Sequence, residues 1–325
     1  MSAKPEAHPS FESLDRIAII EMRPPTSPAG IVAPFYHLAR GDDPIPLTRQ
    51  IASAVLAREP GEVLIVTGLV DSHRFPCGEI DGPIGSLALA RALRLLGHHV
   101  TIVVDEEAIA PIRAIADIAD IDVDLRTGNF ADAASARRFG AQHDVVFAVE
   151  KLGRNSIGGR HLIWGTPVTI GDPFADDYVL GASAAGALTV GVGDNGNEIG
   201  FGNIGAEAEP LTPAGVVVDG GFFAATTVDH LLPASVSNIG CYAIAAALAI
   251  ASRRPELAVD GSIIAEWTNT GLDAGLRSGG VDDIGFRGDD GVPVPFIAAT
   301  VDMFAGIVHQ ASLGAAWVAS AAVAH

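Results

Sequence analysis

Val145-Val-Phe-Ala-Val149 runs five apolar residues without a polar break, and Leu64-Ile-Val66 does the same inside Glu62-Val-Leu-Ile-Val-Thr67. A strand apolar on both of its alternating faces has to be covered on both sides, which suits a parallel sheet sandwiched between helices. Helical patterns over residues 46–57, 83–96, 108–119 and 131–139 alternate with strand patterns over residues 62–67, 100–104, 121–125 and 144–149. This alternation predicts an α/β fold with a mainly parallel central sheet flanked by helices in three layers. Residues 1–15 read as a mobile tail and residues 16–325 as a single α/β domain. The stretch 202–221 is loop-like, and 279–295, with Asp289-Asp290-Gly291, reads as a turn-rich excursion or hairpin.

After the strand-like run Ala187-Leu-Thr-Val190 comes Gly191-Val-Gly-Asp-Asn-Gly-Asn-Glu-Ile-Gly-Phe-Gly202. Glycine accepts the positive φ angles of a tight loop, and successive N–H groups can then converge on an anion. The Gly-x-Gly-x-x-Gly spacing at Gly191, Gly193 and Gly196 runs into polar Asn197-Glu198 rather than an apolar helix, so it is a poor dinucleotide fingerprint. Carboxylates also follow the other strands, Asp81 by way of a loop and Glu150 directly. Ligands in open α/β sheets sit beyond the carboxyl ends of the strands, so Asp81, Glu150 and Asp194 are expected to line one cleft. Each has a plainer reading. Asp81 before Gly82-Pro83 stands where a helix N-cap would be. Glu150 beside Lys151 and Arg154 could be an ion-pair partner, and Asp194-Asn195 could hold an Asx turn. Ser237-Asn238 could cap the helix that follows.

Four segments in one order resemble the D-glutamate cyclase family. They are Gly78-Glu-Ile-Asp-Gly-Pro-Ile-Gly85 opening a helix, Val149-Glu-Lys-Leu-Gly-Arg154, the Gly191 to Gly202 loop, and Ser237-Asn-Ile-Gly240. The similarity extends over about residues 47–310. The resemblance implies a lyase that closes an amino dicarboxylic acid into a lactam such as 5-oxoproline with loss of water, or the reverse. It implies Asp194 or Glu198 as general base, Glu150 or Asp81 as a carboxyl group of raised pKa, and loop N–H groups as oxyanion donors. Gly82, Lys151, Arg154, Gly193, Asn195, Gly196, Asn197, Ser237 and Asn238 occupy the motif positions expected to contact substrate. The chain departs from the family where Glu-Arg-Pro-Gly is Glu150-Lys-Leu-Gly153, where the loop has Asn195 for glycine, and where the Ser-Asn turn has Ile239 for tryptophan. Lysine lacks the planar fork with which arginine grips a carboxylate. The carboxylates stay while their surroundings change, which points to an altered substrate or a lost activity.

Thirty-nine acidic against 20 basic residues leave a net charge of −19, unsuited to nucleic acid or to anionic membranes. Cys77 and Cys241 form no metal-binding spacing, and a reducing cytoplasm fits them. The start lacks a secretory pattern. The apolar stretch 241–251 is too short to span a bilayer and reads as a buried helix, while residues 311–324 read as a packed or interface helix compatible with a homo-oligomer. Asp81, Asp194 and Glu198 could hold a divalent metal ion through oxygen ligands. Two other readings stay open, a nucleotide-binding enzyme using the glycine loop for phosphate and a non-catalytic amino-acid-binding paralogue.

Overall fold

A computed structural model describes residues 9–25, 28–281 and 283–323, with side chains up to residue 313. Its helices are α1 (Pro9–Ala18), α2 (Val32–Arg40), α3 (Leu47–Leu56), α4 (Pro83–Leu95), α5 (Ile109–Ile118), α6 (Ala133–Gly140), α7 (Ala175–Ala184), α8 (Gly205–Ala208), α9 (Ser237–Ser252), α10 (Gly261–Asp273) and α11 (Val294–Val323). Its strands are β1 (Glu62–Thr67), β2 (His99–Val104), β3 (Asp124–Thr127), β4 (Val145–Val149), β5 (Leu188–Gly193), β6 (His230–Pro233), β7 (Gly288–Asp289) and β8 (Val292–Pro293).

The first six strands form one sheet in the order β3-β2-β1-β4-β5-β6, and every pairing is parallel. The chain lays β2 and β3 on one side of β1, then returns to place β4, β5 and β6 on the other. The direction in which strands are added therefore reverses between β1 and β4, and a crevice opens at their carboxyl ends.

Alternation along the strands explains the three layers. Val63 and Ile65 of β1, with Val145, Phe147 and Val149 of β4, enter a core shared with α3, α4 and α9. Leu64, Val66, Val146 and Ala148 point the other way, into a smaller core with Tyr178 and Val179 of α7 and Ala136 of α6. Side chains two apart share a face, so an unbroken apolar run serves both cores. A third cluster joins Phe35 of α2 to Phe201, Phe222 and Phe223, and it backs the glycine-rich loop.

Differences from the sequence reading have local causes. Residues 9–15, expected in the tail, belong to α1, because Phe11 and Leu14 are buried and Asp15 accepts the N–H groups of Leu47 and Thr48 at the start of α3. The remainder of that tail lies outside the described residues. β3 begins at Asp124 instead of residue 121; as an edge strand it carries polar Asp124 and Arg126, which hid its register. The hairpin β7–β8 falls in the expected turn-rich excursion. The apolar stretch 241–251 lies inside buried α9. Residues 311–323 continue α11, whose Val294–Leu313 portion is long and apolar enough to cross a membrane by length and composition. Ile297, Val301, Phe304 and Val308 of that portion pack into the main core against α9 and α10.

Candidate functional site

Strand ends deliver the acids. Glu150 follows the last residue of β4, Asp194 the last residue of β5, and Asp81 lies in the connection from β1 to α4. Asp81, Glu150 and Asp194 each bring a carboxylate oxygen into a group whose members lie within 4.8 Å of one another, so the three converge, but of them only Glu150 lines the cavity. Glu79, Glu198 and Asp290 are also buried there and act electrostatically on this group, and buried Asp289 feels the charge of Asp81. A cavity of about 550 Å³ opens above them, within the usual range for small-molecule sites. Glu79, Glu150 and Asp290 line its floor, Asn195 and Asn197 contribute from the loop, and Leu69, Phe75, Leu152, Leu162 and Trp164 make an apolar wall. Asp81 and Asp194, 1% and 0% exposed, stand behind that floor.

So many buried carboxyl groups cannot all ionise. Burial, reinforced by Asp290, pushes Asp81 up to about 8 even though three backbone N–H groups favour its charged form. Burial and the neighbouring acids likewise hold Glu79, Glu150, Asp194 and Asp289 well above the ordinary carboxylate range. A protonated carboxyl group donates a hydrogen bond, so the floor presents donors as well as acceptors.

Asp81 does not cap its own helix. Gly82 is the N-cap of α4, while Asp81 accepts from the N–H of Gly82 at 2.8 Å and from those of Ser237 and Asn238 at 3.0 and 2.8 Å, at the N-terminus of α9. The helix dipole and unpaired N–H groups of α9 explain the choice. Ser237 and Asn238 are likewise more than caps. Ser237 Oγ donates to Glu150 Oε2 at 2.5 Å. Asn238 accepts from Gly85 N–H at 2.6 Å and donates to Ile80 O and to Asp289 Oδ2, tying α4, α9 and the β7–β8 hairpin together.

The glycine-rich loop does form an anion nest, but the anion is its own. Glu198 accepts from Asn195 N–H at 3.1 Å and from Gly196 N–H at 2.8 Å. These two N–H groups are therefore spent, a correction to their expected role as oxyanion or phosphate donors, and Glu198 serves as the loop's clasp. Gly196 has φ +108, and a side chain there would meet Phe223 at 2.7 Å. Gly193 packs against Phe201 and Glu198. Asn197 donates to His161 O at 2.8 Å, which fixes its amide and leaves the buried Oδ1 without a partner.

Asp194 rests on a residue that sequence reasoning passed over. Arg23 Nη1 donates to Asp194 Oδ2 and to Asn195 Oδ1, both at 3.0 Å, while Nε donates to Glu21 and Nη2 to Pro28 O. Asp194 Oδ1 is buried without a partner. Lys151 and Arg154, expected at the substrate, are engaged elsewhere. Lys151 Nζ donates to Gly68 O and Asp105 Oδ2, both at 2.9 Å, and Arg154 pairs with Asp176 and Asp177 of α7. Gly82 sits behind the floor at φ +92, where a side chain would meet Thr67 Oγ1 at 2.6 Å and Glu150 Cβ at 2.8 Å.

Glu79, Asp289, Asp290 and Arg23 were the missed members. Glu79 precedes Asp81 by two residues in a segment bridged to Arg277 in extended form, so period-two spacing was an available signal for a shared side. Asp289-Asp290 read only as a turn, and nothing local marks Arg23.

For a hard divalent ion, Asp81, Glu150 and Asp194 form one set and Asp81, Asp289 and Asp290 another. Glu150 thus replaces Glu198 in the expected set, because both oxygens of Glu198 already clasp the loop.

Fold and site together define an α/β protein with an acid-floored cavity of small-molecule size at the switch point of a parallel sheet. The chain belongs to the D-glutamate cyclase-like family: residues 42–290 match the family described as D-glutamate cyclase-like, C-terminal. It is 30% identical over 216 residues to the human (Homo sapiens) protein "D-glutamate cyclase, mitochondrial", an alignment covering 58% of this chain and 32% of that protein. The chain thus spans about a third of the length of that relative. A crystal structure of RecJ in complex with Mn2+ from Thermus thermophilus is 11% identical, with a TM-score of 0.33 over 91% of this chain and 45% of that one, a likeness too slight to carry an argument. All the acids of the floor fall inside the matched segment, whereas Arg23 falls outside it.

Proposed function

We propose that this protein is a lyase that closes an amino dicarboxylic acid into a lactam with loss of water, or runs the reverse hydrolysis. The observation that carries this reading is the pairing of Glu150, which faces the cavity, with Asp194 directly behind it, both raised in pKa and only one resting on a cation. Two carboxyl groups so placed share a proton, as neither tolerates both charges at once. Glu150, the member that faces the cavity, accepts a proton of the substrate ammonium and exchanges protons with Asp194 behind it. The amine then attacks the distal carboxyl carbon, forming the C–N bond; the pair delivers one proton to the departing oxygen, takes the second proton from the nitrogen and delivers that as well, so the C–O bond breaks, water leaves and the pair returns to its starting state. Ring closure is intramolecular, so the substrate itself supplies proximity. Acid and base assistance contribute typically about 10²–10⁴-fold each. Asn197 Oδ1, buried and unpaired in a residue that lines the cavity, would accept from the ammonium in this reading. The nucleotide-binding alternative loses its phosphate seat to Glu198.

A second reading gives Asp81, Glu150 and Asp194 a divalent cation, favoured by the unpartnered Oδ1 of Asp194. Such an ion would polarise the substrate carboxylate. Mass spectrometry of the purified protein incubated with amino dicarboxylates of both configurations and with their lactams tests the proposal, with and without added Mg²⁺ or Mn²⁺. Gain or loss of one water is the expected result. Binding of these compounds with no mass change would support the non-catalytic paralogue instead.

A further inference from the structure

An amino dicarboxylate brings two carboxylates to a cavity whose floor is made of acids, and one of the two does not react. That carboxylate needs a cation. Among the described residues lining the cavity the cations are Arg23 and Arg74. Arg23 is committed to Asp194, Asn195, Glu21 and Pro28, and its side chain is 1% exposed. Arg74 is exposed where the cavity meets solvent, and its charge acts on Glu79 at the floor. No side-chain hydrogen bond or ion pair holds its guanidinium among the described residues. The backbone beneath it is fixed. Asp71 Oδ1 accepts from His73 N–H at 3.0 Å and from Arg74 N–H at 2.8 Å, and Asp71 and Phe75 exchange two backbone hydrogen bonds at 2.9 and 3.2 Å. An uncommitted guanidinium on a rigid turn, facing a cavity, is suited to two-pronged recognition of a carboxylate.

We propose that Arg74 forms a carboxylate subsite at the mouth of the cavity, holding the non-reacting carboxylate of a small amino dicarboxylate while its amine and distal carboxyl group lie against Glu79, Glu150 and Asp290. This rests on the function proposed above for its choice of ligand. It makes Arg74 the residue that anchors the substrate by the carboxylate beside its amine and so directs the distal carboxyl group to the floor.

Calorimetric titration with glutarate, a dicarboxylate that has no amine and cannot cyclise, tests the subsite apart from turnover. Wild type, Arg74→Ala, Arg74→Lys and the charge-matched control Arg113→Ala on the exposed face of α5 are compared. Removing Arg74 should weaken glutarate about tenfold or more, the ordinary worth of a charge-assisted hydrogen bond. Arg74→Lys should fall between, and Arg113→Ala should match wild type. With a substrate in hand, the loss should fall on KM rather than kcat. A wild type that does not bind glutarate, equal Kd in wild type and Arg74→Ala, or an equal loss in Arg113→Ala would overturn the subsite. Arg74-dependent binding without turnover of any amino dicarboxylate would leave the subsite standing and defeat the proposed reaction.

Discussion

Ser237 Oγ lies 2.5 Å from Glu150 Oε2, joining the first residue of α9 to the residue that follows β4. Glu150 is itself in the left-handed region at φ +46, a conformation that turns its side chain out of the strand path and costs about 1–3 kcal/mol in a non-glycine residue. The serine hydroxyl is the contact that holds the turned side chain at the cavity. Ser237→Ala is expected to lower kcat about tenfold while costing only about 1 kcal/mol of stability, the usual net worth of one hydrogen bond. Steady-state rates and urea midpoints read the two effects separately, and an unchanged kcat would remove Ser237 from the positioning of Glu150.

Gly82 is wedged between Thr67 and Glu150 with a positive φ. Gly82→Ala therefore meets both a backbone penalty and contacts below 3.0 Å with groups that cannot easily yield. A loss of about 2 kcal/mol or more is expected in chemical denaturation. Wild-type stability for this variant would show that the floor is more loosely packed than described.

The raised carboxyl groups make stability depend on pH with a definite sign. Asp81 in the folded protein holds its proton up to about 8, whereas its ordinary value is 3.8. Between these values the folded state binds a proton that the unfolded chain has released, so the contribution is complete below the ordinary value and drains away as pH rises toward about 8. Glu79, Glu150, Asp194 and Asp289 shift in the same direction. Thermal melts should give a Tm that falls from about pH 5 to about pH 8. A Tm that rises over that interval would contradict a mainly protonated floor.

How much of this was legible in the sequence depended on the range of the forces involved. β1 and β4 were readable because burial on both faces leaves an unbroken apolar run, and the convergence of Asp81, Glu150 and Asp194 followed from parallel strands ending at one edge. β6 was missed: four residues, His230–Pro233, are too few to show a period. The partners of the acids were not readable either. Asp81 gives its oxygens to a helix start 156 residues away, and Arg23 reaches Asp194 across 171 residues. Lys151 looked like a substrate contact beside Glu150, yet successive residues leaving a strand point to opposite sides, and it turns to Asp105. The acids Asp289 and Asp290 gain their place only when the β7–β8 hairpin folds back on α9 through Asn238.

Replacement of Asp194 by asparagine is the most direct measurement. The amide keeps the shape of the side chain and an oxygen for Arg23, but it cannot share a proton with Glu150. The expected result is a loss of at least about 10²-fold in kcat for lactam formation or hydrolysis, with the loop still clasped by Glu198 and the protein still folded by circular dichroism. Turnover within a few-fold of wild type in a folded Asp194→Asn variant would contradict the proton-sharing pair and leave Asp194 as a structural anchor for Arg23.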